Sequence, residues 1–203
     1  MKLVLGALGV LVALSSGCAG SGGDQSDTEP AGQCQLLEAA TVSDLAGEAL
    51  EGRESTVGGV GGSSLRACMY GRLDDVGVQV AQAPAGEWAR ALPGMLDQLK
   101  DMGGAGFPDA LRQIEEAAQL IERGEAVPPE QACQLFDDML AFRGIDSASD
   151  GVISYVPDRE DPLFASVQTC RDGTYTSIGV ARPGMTAGAE QDAALEEAIN
   201  TLR

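Results

Sequence analysis

Two periods alternate along most of this chain. Stretches with apolar residues at every second position are set between stretches with apolar residues three or four apart, the marks of half-buried strands and amphipathic helices. In the first half, residues 34–47 read as helix broken near Thr41, where the spacing of Thr41 to Asp44 offers a capping-box-like start. Short strands are expected at 54–60, 65–70 and 76–82, the last alternating through Val76, Val78 and Val80. A helix over 87–102 follows, and Pro93 inside it predicts a kink or a break into two pieces.

The second half opens with a helix over 129–142, because proline is tolerated in a first turn and Gly144 is placed to end it. Strands are expected at 152–156, 165–171 and 174–181. Asp172-Gly173 between the last two is a hairpin signal, since a type I′ turn needs positive φ at both central positions. Pro183-Gly184 stops the hairpin, and Leu195, Ile199 and Leu202 mark a closing helix over 189–202. Between the halves, Leu111, Ile114, Ala118 and Ile121 define one more helix, 108–123, capped by Gly124. Its charged side chains, Glu115, Glu116, Glu122 and Arg123, read as a solvated outer face.

The pattern therefore predicts an α+β fold with an antiparallel sheet, built from two helix-strand-strand-strand-helix halves. The first covers 33–124 with the extra helix, and the second covers 125–203. Gln33-Cys34-Gln35-Leu36-Leu37-Glu38 finds an echo in Ala132-Cys133-Gln134-Leu135-Phe136-Asp137, which raises the expectation of a duplication.

Residues before Cys34 follow other rules. Lys2 precedes an apolar run over 3–14, then come Ser15, Ser16, Gly17 and Cys18, the order of a secretory leader. As a helix the run would rise only about 18 Å, short of the roughly 30 Å hydrocarbon core of a bilayer. Leu14-Ser-Ser-Gly-Cys18 resembles the lipobox of bacterial lipoproteins, although Ser15 stands where leucine is usual. The resemblance implies cleavage of 1–17 and a diacylglyceryl group on Cys18; ordinary secretion is the alternative. Residues 19–32 lack large apolar side chains, so they are expected to form a disordered tether with a reach of roughly 20 Å.

Further along, Cys34-Gln-Leu-Leu37, Thr41-Val-Ser-Asp-Leu45 with Gly47, and Cys68-Met-Tyr70 before a valine-rich strand resemble a family of small actinobacterial cell-envelope lipoproteins of unknown function. The likeness covers the leader, the tether and residues 33–82. It implies location and fold and no activity. The 108–124 insertion and Cys133 fall outside the pattern.

Charge narrows the partners. The chain has 31 acidic and 13 basic residues, a formal charge of −18. Loss of Lys2 with the leader makes it −19. Nucleic acid is excluded as a partner, because phosphate binding needs concentrated Lys and Arg, and anionic headgroups would repel the domain. The acidic balance itself reads as a device for solubility. Arg in preference to Lys, with abundant Ala and Gly, suggests a high-GC genome.

Beyond Cys18, the cysteines Cys34, Cys68, Cys133 and Cys170 form an even set in an exported chain, which favours disulfides. Three pairings exist. Similar separations make Cys34–Cys68 and Cys133–Cys170 the simplest, with a four-cysteine zinc site as the alternative that lacks a close Cys-x-x-Cys pair.

Histidine is absent, which removes Ser-His-Asp and Cys-His catalysis, the HExxH motif and every His-ligated metal site. Lys100 is the one lysine left after cleavage, and it forms no Ser-x-x-Lys or Tyr-x-x-x-Lys pair. Residue types leave only a two-carboxylate hydrolase open. The glycines between Gly58 and Gly62 lack a P-loop ending and read as a hairpin tip. Asp146 and Asp150 with Gly151 resemble the start of a calcium loop, but Pro157 stands where its glutamate should be, leaving an Asp/Ser turn as the plainer reading. Asp158-Arg-Glu-Asp161 reads as a solvated hairpin loop. Trp88, the single tryptophan, is expected to pack on the sheet, with a ligand-facing aromatic as the alternative.

No cofactor and no catalysis are expected. The sequence points to a lipoprotein anchored at the extracytoplasmic face of the cell membrane, or to an outer membrane where the host has one. Its expected work is non-catalytic binding of an envelope protein, a peptide or a small hydrophobic ligand. A structural subunit of an envelope assembly is the second reading, and a carboxylate-dependent hydrolase the third.

Overall fold

A computed structural model describes residues 32–58, 64–94, 96, 108–142 and 151–202. Cys18, the leader and tether before Gly32, the glycines at 59–62, Lys100, Asp146 and Asp150 lie outside the described residues.

One six-stranded antiparallel sheet organises the chain, in the order β1-β2-β3-β6-β5-β4. Its strands are β1 (Gly52–Gly58), β2 (Ser64–Gly71), β3 (Gly77–Pro84), β4 (Val152–Val156), β5 (Phe164–Arg171) and β6 (Thr174–Ala181). The helices are α1 (Ala39–Ala46), α2 (Ala85–Ala89), α3 (Pro108–Glu122), α4 (Pro129–Phe142) and α5 (Ala189–Thr201), with a short 3₁₀ turn at Gln33–Gln35. The α+β class and the paired meanders are those the apolar periods predict.

Alternation along the strands sorts side chains onto two faces, since successive residues point to opposite sides. Val78, Val80, Val167, Ile178 and Val180 share one face, where they are fully buried under α1 and α5. Val42 and Leu45 come down from α1, and Leu195 and Ile199 from α5. The opposite face carries Tyr175 and Val152 beneath α2, α3 and α4, which supply Trp88, Ile114, Leu135 and Phe136. Each helix presents one apolar stripe, so the sheet is covered on both sides.

The β5–β6 hairpin turns through Asp172 at φ 49° and Gly173 at φ 74°, the positive pair that the Asp-Gly sequence predicts. Gly47 ends α1 at φ 83°, its N–H bonded to Ser43 O.

The first helix needs correction, and the helix with Pro93 needs a new start. The break in the first helix falls at 36–38, before Glu38 as N-cap, and not near Thr41; Thr41 lies inside α1 and caps nothing. The helix expected over 87–102 begins earlier, at Ala85, and the break into two pieces expected from Pro93 is present: the first piece stops at Ala89 and helix resumes at 92–94. Proline has no N–H for the ladder, which accounts for the break.

The shared order of elements does not establish a duplication. A rotation carrying β1-β2-β3 onto β4-β5-β6 across the central antiparallel pair runs normal to the sheet and keeps each face on its own side. Cys68 lies in the cluster under α1 and α5, whereas Cys170 packs against the cluster under α2, α3 and α4. The matching bridges sit on opposite faces, so that rotation cannot superpose them.

Candidate functional site

Four of the five cysteines are spent in bridges. Cys34 joins Cys68 and Cys133 joins Cys170, with Cα separations of 4.8 and 5.1 Å. Each ties a helical segment to the middle strand of its half, β2 or β5. The pairing is the simplest one that the separations suggest. With the two bridges on opposite faces, a zinc ion held by all four sulfurs is ruled out.

Trp88 is only 7% exposed. Its ring meets the edge of Phe136 at 5.3 Å between centroids and stacks on Tyr175 at 5.9 Å. Phe136 and Tyr175 close the triangle at 5.8 Å. Such offset and edge contacts are the favoured aromatic geometries, and they make Trp88 a packing residue of the sheet. Burial pushes the Tyr175 phenol up to about 12, against the opposing hydrogen bond with Ser177. Its hydroxyl donates to Gln168 Oε1 at 3.2 Å.

Asp137 and Asp138 are neighbours on α4; burial, and then the Asp138 charge, raise the pKa of Asp137. Asp138 Oδ1 accepts from Gln134 Nε2 at 3.2 Å, while Oδ2 is buried with no hydrogen-bond partner among the described residues. No group of three or more Asp, Glu or Cys able to hold a metal occurs among the described residues.

A polar clasp at the end of β4 is the feature that sequence reasoning missed. Tyr155 donates from its hydroxyl to Asp192 Oδ1 at 2.6 Å, and Arg159 donates to Asp192 Oδ2 at 2.8 Å. The Arg159 guanidinium also lies over the Tyr155 ring, 4.5 Å from its centroid. Asp192 stands in the first turn of α5, where a negative charge also suits the helix dipole. Desolvation opposes the Asp192 carboxylate, but the hydrogen bonds from Tyr155 and Arg159 outweigh it and hold its pKa below the usual range. Burial, then the bond to Asp192, push Tyr155 up to about 12.

The loop after β4 is ordered around this clasp. Asp158 Oδ1 accepts the N–H groups of Glu160 and Asp161 at 2.9 and 3.1 Å, an Asx turn. Leu163 N–H returns to Val156 O at 2.8 Å. Asp158, Arg159, Glu160 and Asp161 all face solvent, as their sequence predicts, and the exposed Arg159 reaches Asp192 with its guanidinium. Leu163 is 70% exposed and Val156 43%, the exposed large hydrophobics among the described residues.

No protein-family model, curated protein or solved structure matches the chain.

Proposed function

We propose that the protein is an exported lipoprotein, held at the extracytoplasmic face of a membrane through Cys18, whose folded domain is a non-catalytic binding module of the cell envelope. One observation carries the reading. The four downstream cysteines pair among themselves, so Cys18 is the single cysteine left over, and only Ser15, Ser16 and Gly17 separate it from an apolar run too short to span a bilayer. Two bridges suit an oxidising compartment, and an unpaired sulfur at the end of a leader suits acylation.

Among the partners open to such a module, the aromatic triangle favours a protein or peptide over a small hydrophobic ligand. Phe136 and Tyr175 already occupy the edge and face of Trp88, the aromatic that such a ligand would use. Absence of histidine supports binding over catalysis, because it removes the commonest proton-transfer group at neutral pH.

Metabolic labelling with an alkynyl fatty acid, followed by membrane fractionation, tests the anchor. The wild-type protein should carry label and sediment with membranes. Cys18→Ala should lose the label and be either unprocessed or released. Normal cleavage with unchanged membrane partition of Cys18→Ala would remove the lipoprotein reading.

A further inference from the structure

The two edges of the sheet differ in a way that bears on what the domain binds. An edge strand exposes unpaired N–H and C=O groups, and proteins usually blunt it with charge, proline or a bulge. Edge strand β1 is blunted in this way: it carries Arg53 and Glu54. Edge strand β4, Val-Ile-Ser-Tyr-Val, carries no charge, no glycine and no proline, and among the described residues only β5 pairs with it.

Charge instead sits just beyond the ends of β4. Asp158, Glu160 and Asp161 follow it, and with Arg159 committed to Asp192 the loop presents acid outward. In the sequence, Asp150 stands two residues before Val152. A second copy of this chain, added parallel along β4, would set Asp158, Glu160 and Asp161 against their own counterparts. Like charges so placed suppress self-pairing. The same flanks attract an extended segment with Lys or Arg at its ends.

We propose that β4 is a docking edge, and that its occupant is a basic, strand-forming segment of a protein partner, added to the sheet as a seventh strand. The proposal rests on the binding-module reading above and gives that module a site. The backbone groups of Val152–Val156 that face away from β5 supply the ladder, half-exposed Val156 a side-chain contact, and Asp158, Glu160 and Asp161 the choice of charge. The clasp of Tyr155 and Arg159 on Asp192 holds the loop in place before binding, which lowers the ordering cost of association.

Nuclear magnetic resonance on the isotope-labelled full exported chain can test this with two probes. One is the peptide acetyl-Lys-Val-Thr-Ile-Lys-Val-Lys-amide; the other has glutamate in place of each lysine. The basic peptide should shift the amides of Val152–Val156 and slow the hydrogen exchange of the alternate ones that face away from β5, and the acidic one should bind at least about tenfold more weakly. Val156→Lys, at a half-exposed position that keeps the fold, should weaken the basic peptide about tenfold, and Glu160→Gln with Asp161→Asn about threefold. Unchanged spectra of the free variants would show that both remain folded. Absence of binding, equal affinity for both peptides, shifts spread over the acidic surface, or self-association through the same amides would each overturn the proposal. None of these readouts depends on Cys18, so failure of the docking edge and failure of the membrane anchor are separable.

Discussion

The side-chain amide of Gln33 makes both hydrogen bonds that a neighbouring strand would make with Gln82. Its Nε2 donates to Gln82 O at 3.1 Å, and its Oε1 accepts from Gln82 N–H at 2.9 Å. The β2–β3 ladder stops at the pair Cys68–Val80, so without Gln33 these two groups of Gln82 would face the gap where β2 departs. Gln33 is itself buried.

Replacing Gln33 by alanine should therefore cost on the order of 1–3 kcal/mol, because it strands two part-buried backbone groups of Gln82 and does more than remove one bond. Urea denaturation measures it. A loss within error of zero would mean that water satisfies Gln82 equally well.

The two bridges are expected to act independently. Each cysteine-to-serine double replacement, at Cys34 with Cys68 or at Cys133 with Cys170, should lower stability by roughly 3–4 kcal/mol. Since the bridges lie on opposite faces, the losses should add. Non-reducing peptide mapping should recover Cys34 with Cys68 and Cys133 with Cys170, and no other pairing.

The clasp predicts opposite responses at the two ends of the pH scale. Asp192 has a lowered pKa in the folded state, so its contribution is present above the ordinary carboxylate value of about 3.9 and is lost as pH falls through the lower, folded value. Tyr155 has a raised one, so its contribution is present below about 10 and is lost as pH rises toward about 12. Asp192→Asn should abolish the acid loss, reduce the alkaline one and lower the Tyr155 titration, as followed by ultraviolet difference absorbance. A Tyr155 titration unmoved by the substitution would show that burial alone sets it.

Gly179 tests how tightly the second face is packed. A Cβ there would run into Cζ of the Phe164 ring, so the ring must move to admit it. Gly179→Ala should cost about 1–3 kcal/mol, and Phe164→Leu in the same chain should recover part of that cost. Strict additivity of the two changes would show that the ring gives way freely.

Local chemistry made much of this fold legible. Asp172-Gly173 fixed a hairpin because positive φ at both positions is a property of those residues, and Pro129 opened α4 for the same kind of reason. Val78 and Val80 named their own face. The break before α1 was not legible at Thr41 because it is set from far away. The Cys34 bridge to Cys68 and the Gln33 bonds to Gln82 hold the 3₁₀ turn against β2 and β3, which a helix running through 36–38 would have to leave. Arg159 looked like one charge in a solvated run, and nothing near it in sequence announces Asp192, 33 residues away. In the same way, the cysteine spacings carried the pairing but held no information about which face each bridge would occupy.

The position of the first bridge has a mechanical consequence. Cys34 lies two residues beyond Gly32, where the described chain begins, and its sulfur is joined to Cys68 within β2. A pull on the preceding segment, as when a tethered domain binds something that moves, would first strain the hydrogen bonds of Gln33. It would then reach a covalent link into the sheet. The load would pass to the ladders of β2 with β1 and β3, while α1 and the buried residues beneath it stayed off the line of force. Reduction of that one bridge would reroute the same pull through α1, turn by turn.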